Sequence, residues 1–206
     1  YSFILFIFLL LIAVFAELLI NNRAVLVHYN GQYHFPTYGD MIPGNTFGLG
    51  YGYETNYRQL KAVFKEENSD NYVILPLVPY GAYEIVLAEN KYPPYAPSYS
   101  ESRYLGSDVV GRDIVARLIY GFRICITFSL LLLVINFAVG ISLGCLMGYI
   151  GGKFDLFFQR IIEVWSAIPF LYIIMIIASM IIPNLFILVL ISVLFGWMGL
   201  TWYMRT

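Results

Sequence analysis

The sequence predicts an all-α transmembrane bundle with a long α+β extramembrane insert between its first and second membrane helices. The first observation behind this is composition. Of 206 residues, 60% are hydrophobic and only 12% charged, with a mean hydropathy of +0.73, whereas an ordinary soluble domain carries roughly 25% charged residues. The second is distribution. Four apolar stretches, 2–20, 124–150, 161–182 and 185–202, approach or exceed the roughly 20 helical residues needed to cross a hydrocarbon core of about 30 Å. The third is the polar stretch 21–123, which holds most of the charge and most of the tyrosines.

The same figures exclude several classes. A net charge of -1 lacks the basic field of a nucleic-acid binder, and so apolar a chain is not a disordered segment. Two cysteines do not make a disulfide scaffold. Cys125 and Cys145 lie on one expected helix, about 30 Å apart at 1.5 Å per residue, too far to pair within it. The chain opens on Tyr1 rather than Met and stops after Tyr203-Met204-Arg205-Thr206, so a piece of a longer sequence is expected.

In chain order, 1–20 is read as the first membrane helix. Val14-Phe15-Ala16 before Glu17 also has the small-residue spacing of a signal-peptidase site, but the apolar run continues through Leu18-Leu19-Ile20. Glu17 is read as a rim residue. Residues 21–104 form the insert. Ala24-Val25-Leu26-Val27-His28-Tyr29 and Gln32-Tyr33-His34-Phe35 flank Asn30-Gly31, the turn pair that favours a type I′ hairpin. With Tyr29 opposite Gln32, His28 pairs with Tyr33 and His34 with Val27, so the imidazoles point to opposite faces and do not share an ion. Gly44 to Gly52 reads as loop, with short strands expected at 72–75 and 82–87. Tyr92-Pro93-Pro94-Tyr95-Ala96-Pro97 reads as an extended connector.

Residues 105–123 are expected to form an amphipathic surface helix capped by Ser107, with Asp108 favouring its N-terminal dipole. Its apolar face would be Val110, Ile114, Val115, Leu118, Ile119 and Phe122, with Asp113 and Arg117 paired at i,i+4 on the other. Residues 124–206 hold three membrane helices. In the first, Gly140, Gly144 and Gly148 recur every fourth residue beside Asn136, a face for close backbone packing in lipid; the other reading is a pathway flank with Asn136 as its polar contact. The connection 151–160, with Gly151, Gly152, Asp155 and Arg160, is expected to be a turn and a brief interfacial helix. The helix at 161–182 carries Glu163 near its start and Pro169 inside, where proline kinks or breaks the hydrogen-bond ladder. Pro183-Asn184 would turn tightly into the last helix, where Gly196 and Gly199 loosen or pack it and Trp197 and Trp202 suit an interface.

No catalytic constellation is present. Gly148 to Lys153 falls short of a phosphate loop, which needs Gly where Met147 stands and Ser or Thr where Phe154 stands. No Cys/His cluster has zinc spacing, and no cofactor is implied. These absences weigh against an enzyme.

The run Leu105-Gly106-Ser107-Asp108-Val109-Val110-Gly111-Arg112-Asp113, continuing through Ala116-Arg117-Leu118-Ile119-Tyr120-Gly121-Phe122-Arg123, resembles the signature before the permease core in C-type subunits of dipeptide and oligopeptide ABC importers (DppC/OppC-like). Gly148-Tyr149-Ile150-Gly151-Gly152-Lys153-Phe154-Asp155, with Arg160 to Pro169, is similar to the following turn and helix of that family. Leu194-Phe195-Gly196-Trp197-Met198-Gly199-Leu200 is similar to the helix before its coupling loop. The start of the insert, Leu26 to Gly31 with Tyr33 and Phe35-Pro36, resembles the Yej-type branch associated with microcin C and oligopeptide uptake.

The resemblance implies a type I ABC importer permease fold of six helices, incomplete here with four, and truncated before a coupling loop expected after Arg205. It implies a bacterial inner-membrane location with the insert periplasmic. A count of Arg23, Arg112, Arg117 and Arg123 against Lys153, Arg160 and Arg205 would place the insert in the cytoplasm, though the positive-inside rule weakens for loops beyond about 60 residues. The implied partners are a second homologous permease, two ATP-binding subunits that hydrolyse ATP, a periplasmic substrate-binding protein and membrane lipid, with no nucleic acid. Pro169, the glycine flank and Asn136 are the expected moving or cavity-facing parts, and Gly111-Arg112-Asp113 a structural anchor or a contact to the binding protein. The rival readings are a membrane-anchored periplasmic assembly protein without transport activity and a channel working without ATP.

Overall fold

A computed structural model describes residues 1–67, 70–87, 91–182 and 184–206. The chain divides into two compact units, Tyr1–Arg123 and Ile124–Thr206.

In the first unit, α1 (Ser2–Val14) is apolar after Ser2 and ends at Phe15, after which α2 (Ala16–Leu19) adds one turn. The expected single helix over 2–20 is thus interrupted. At 1.5 Å per residue, α1 reaches about 20 Å, less than a bilayer core. Strands β1 (Leu26–Tyr29) and β2 (Gln32–His34) pair antiparallel with Tyr29 opposite Gln32, His28 opposite Tyr33 and Val27 opposite His34. Asn30 and Gly31 both have positive φ, as a type I′ turn requires. His28 lies against Tyr33 and Tyr72, His34 against Phe47.

The Gly44–Phe47 segment of the expected loop forms a 3-10 turn. Helix α3 (Tyr57–Glu66) follows, capped by Asn56, whose side chain accepts from the Gln59 N–H at 3.3 Å. Tyr57, Leu60 and Phe64, spaced for one helical face, are buried with Ala24, Val27, Phe47 and Val73. Each large apolar side chain buried this way contributes about 1.5–3 kcal/mol, which accounts for the sheet and helix holding together without disulfides. Burial also pushes the Tyr57 hydroxyl up to about 12. Strand β3 (Tyr72–Ile74) completes the sheet in the order β2-β1-β3. The strand expected at 82–87 does not form: that segment is irregular, and Val86 N–H instead donates to Gly111 O at 3.3 Å.

Helix α4 (Ile114–Ile150) is 37 residues long and runs from the first unit into the second. The surface helix expected over 105–123 is therefore corrected: 105–113 is turn, and the helix starts at Ile114. In the second unit, α5 (Gly152–Ser166) absorbs the expected 151–160 turn and the first residues of the expected span. Helix α6 (Phe170–Met180) follows, bent from α5 by 66°. Helix α7 (Leu185–Arg205) is capped by Asn184, whose side chain accepts from Ile187 N–H at 2.9 Å. The other half of the expected Pro183-Asn184 turn, Pro183, lies outside the described residues.

Among the described residues, two helices, α4 and α7, are long and apolar enough to cross a membrane, and α5 with α6 makes a third if the bent pair is one span. Only 6% of the most apolar window of α4 and 22% of that of α7 is buried within the chain, so these faces present hydrocarbon to lipid or to another protein.

Candidate functional site

Two groups of side chains hold the residues singled out by sequence. The first lies just before α4. Asp108 folds the chain around its own carboxylate: Oδ1 accepts from the N–H groups of Val110 (2.9 Å) and Arg112 (3.0 Å). Oδ2 accepts from Arg112 Nε (2.8 Å) and Arg117 Nη1 (2.6 Å). The Arg112 main-chain N–H, then that of Val110 and the Arg112 guanidinium, hold this carboxyl well below the usual carboxylate range, against some opposing burial. Arg117 thus pairs with Asp108, not with Asp113 as its i,i+4 spacing led one to expect.

Asp113 is the helix cap. Its Oδ1 accepts from Ala116 N–H at 2.8 Å, while Ser107, expected in that role, instead accepts from Tyr95 N–H at 2.8 Å and bridges to Asp113 through the backbone. A cap belongs where the backbone turns helical, and Gly111, at φ 96°, still holds the chain out of the helix. Asp113 is 3% exposed and its Oδ2 has no hydrogen-bond partner. Burial raises its pKa, partly offset by the Ala116 and Val115 N–H groups and by the nearby Arg103 charge. Arg103 is 4% exposed, its guanidinium over the rings of Tyr80 (5.0 Å) and Tyr95 (4.8 Å), a cation–π arrangement.

Gly106, at φ 76°, lies so close to Tyr95 O that a Cβ would sit 2.3 Å from it. The expected apolar face is only partly formed. Val115 and Ile119 pack on Ile20, Val78, Tyr80 and the fully buried Ala116, while Val110, outside the helix, and Leu118 are exposed. Gly121 meets nothing within 4 Å. Arg123 Nη1 donates to Glu17 Oε1 at 2.6 Å, giving the rim carboxylate a partner 106 residues away.

The second group lies where α4, α5 and α7 meet. A Cβ on Gly140 would sit 2.9 Å from Leu200 Cβ and 3.0 Å from Trp197 O. On Gly144 it would sit 2.6 Å from Met204 Cβ and 2.8 Å from Thr201 O, and on Gly148 2.8 Å from Arg205 O. The glycine face is the seat of α7, with the close backbone approach that small residues permit in lipid. Asn136 is on the same seam: a Cβ on Gly196 would meet its amide at 2.5 Å, and Asn136 Oδ1 is buried with no partner. Below, Met147, Ile162 and Met198 form a buried cluster flanked by Phe154, Phe158, Phe195 and Trp197.

Gly151 and Gly152, both at positive φ, carry the chain from α4 into α5. Asp155, in the first turn of α5, accepts from Gln159 Nε2 (2.8 Å) and is gripped by Arg205 through Nε (2.6 Å) and Nη2 (2.8 Å). Arg160 and Glu163 pair at the surface. Pro169 caps α6 at the bend; it has no N–H to give Trp165 O, which accepts from Ile168 N–H at 3.2 Å instead. The indoles of Trp165 and Trp197 both donate to Leu194 O at 3.1 Å, tying the end of α5 to α7.

The structure thus brings Asn136, Gly140, Gly144, Gly148, Asp155, Gly196 and Trp197 together, and separately groups Gly106, Asp108, Gly111, Arg112, Asp113 and Arg117. Arg205, Arg103 and Trp165 were not singled out by sequence. A lone arginine ending an apolar run was the available sign of the first.

No family model matches the chain. It is 37% identical over 203 residues to the inner membrane ABC transporter permease protein YejE of Escherichia coli (strain K12), covering 98% of this chain and 58% of that protein. It is 34% identical over 228 residues to the peptidoglycan transport system permease protein YejE of Agrobacterium fabrum, covering 100% of this chain and 59% of that one. It is 30% identical over 129 residues to the dipeptide transport system permease protein DppC of Bacillus subtilis, covering 63% and 39%. The chain therefore spans less than three fifths of each of these relatives. With apolar helices seated on a glycine face and similarity to permeases along all its length, the chain belongs to the ABC transporter permeases of the Yej, Dpp and Opp type.

Proposed function

We propose that the chain is part of the permease subunit of an ATP-driven importer for peptides or peptide-like compounds, of the oligopeptide or microcin C kind. The observation that carries this reading is the similarity to two YejE permeases through 98% and 100% of the chain. In this reading the membrane is the bacterial inner membrane, and the unit rich in tyrosine and folded on the β2-β1-β3 sheet faces the periplasm. The subunit pairs with a homologous permease, with two subunits that bind and hydrolyse ATP, and with a periplasmic binding protein that delivers the substrate. Closure of the ATPases shifts access to a cavity from one side to the other, driven by the difference in binding free energy between the two states.

The 66° bend at Pro169 supplies a place for that movement. The α4–α7 seam, through Gly140, Gly144, Gly148 and Gly196, is the rigid body around it, and Asn136 is its polar contact toward the cavity. Asp108, Gly111, Arg112 and Asp113 anchor the periplasmic start of α4.

The test is uptake in a strain lacking the full-length gene. Loss of the gene should abolish sensitivity to a toxic peptide conjugate, restored by the full-length subunit, and the subunit should copurify with ATPase subunits. Unchanged uptake in the deletion strain, or purification without any ATPase, overturns the proposal.

A further inference from the structure

Arg205 is held from three sides. Its guanidinium makes a two-pronged pair with Asp155 of α5 at 2.6 and 2.8 Å, Asp155 itself being braced by Gln159. The same guanidinium lies over the Trp202 ring at 5.5 Å. Its main-chain oxygen lies against Gly148 of α4, where a Cβ would approach to 2.8 Å. Asp155 and Arg205 are 15% and 28% exposed at the side chain. Paired, bidentate and partly withdrawn from water, this contact is stronger and more directional than an exposed ion pair. It is also out of proportion to packing alone: the apolar cluster of Met147, Ile162 and Met198 already joins the same three helices.

We propose that Asp155 and Arg205 form a mechanical clamp, a pair of positioning residues that makes the end of α7 and the start of α5 move as one body. Displacement of the chain that follows Arg205 thereby reaches the bend at Pro169. The inference rests on the permease reading above and on the coupling loop that the family resemblance implies after Arg205. Without the clamp, α7 keeps its seat at Gly140 and in the Met147, Ile162 and Met198 cluster, but its last turn moves without carrying the start of α5. Lysine at 205 keeps the charge and loses the fork, so the geometry, not the charge, sets the coupling.

The experiment uses the full-length subunit with its partner subunits in liposomes. Variants are Asp155→Asn, Arg205→Lys and the exchange Asp155→Arg with Arg205→Asp. Two quantities are read: ATP hydrolysed per peptide transported, and the distance distribution between spin labels at Leu156 and Met204, with Cys125 and Cys145 replaced by serine. Asp155→Asn should raise the ATP-to-peptide ratio about fivefold or more, the lower range of inter-site coupling, and broaden the distance distribution, with complex assembly retained. Arg205→Lys should fall between, and the exchange should recover part of both readouts. An unaltered distance distribution in Asp155→Asn, or a broadened one with an unaltered ratio, overturns the clamp. An unmutated complex that hydrolyses ATP without transporting peptide overturns the permease reading instead, and the spin-label distances still decide whether the clamp exists.

Discussion

At the first turn of α4 one carboxylate meets two opposed demands. Asp113 must accept the Ala116 N–H to start the helix, yet burial disfavours its charge and raises its pKa. Asp113→Ala removes the acceptor and should cost about 0.5–2 kcal/mol, the usual worth of an N-cap. Asp113→Asn keeps an acceptor of the same reach and removes the buried charge, so its loss should be the smaller of the two. Thermal unfolding of the detergent-solubilised protein orders them; equal losses would show that the charge, not the cap, matters there. Asp108 behaves oppositely. Its folded pKa is depressed, chiefly by the Arg112 main-chain N–H. Its contribution is therefore fully present above the unfolded carboxyl value of about 3.9 and fades as the pH falls from there through the depressed folded value. The margin of the wild type over Asp108→Asn should be constant near neutrality and shrink below about pH 4, followed by melting temperature against pH. A margin that does not change with pH would mean that the carboxylate's ionisation contributes nothing.

At the scale of the helix, two glycines of α4 give opposite forecasts. Gly121 meets nothing within 4 Å, so Gly121→Ala should stabilise by about 0.5–1 kcal/mol through helix propensity alone. Gly144 has Met204 Cβ and Thr201 O where its own Cβ would stand, and Gly144→Ala should destabilise by about 1–3 kcal/mol, the usual cost of overpacking. Melting temperatures of the two variants moving in the same direction would show that α7 is not seated as described. Element boundaries were legible where a local signal had no competitor. The hairpin register followed from Asn30-Gly31 and the alternation on either side. The start of α4 did not, because Ser107, Asp108 and Asp113 are all good caps and only the positive φ of Gly111 decides among them. Helix α3 had a readable signature in Asn56 followed by Tyr57, Leu60 and Phe64, hidden within a polar, tyrosine-rich stretch. The Asp155–Arg205 contact joins residues 50 apart, and no spacing rule reaches across the intervening helix α6.

At the scale of the molecule, the small buried share of the α4 and α7 windows means that most of the apolar surface of the second unit faces outward. The protein should therefore stay with the membrane pellet after an alkaline carbonate wash and be released only by detergent; recovery in the wash supernatant would contradict spanning helices. The clamp has one more consequence, for how such a chain is built. Asp155 is synthesised 50 residues before Arg205, and α5, at 15 residues, reaches only about 22 Å by itself. During synthesis the carboxylate stands at the head of a short helix with its counter-charge not yet made. Its pairing waits for the last turn of α7, so this contact is among the last that the three helices can make.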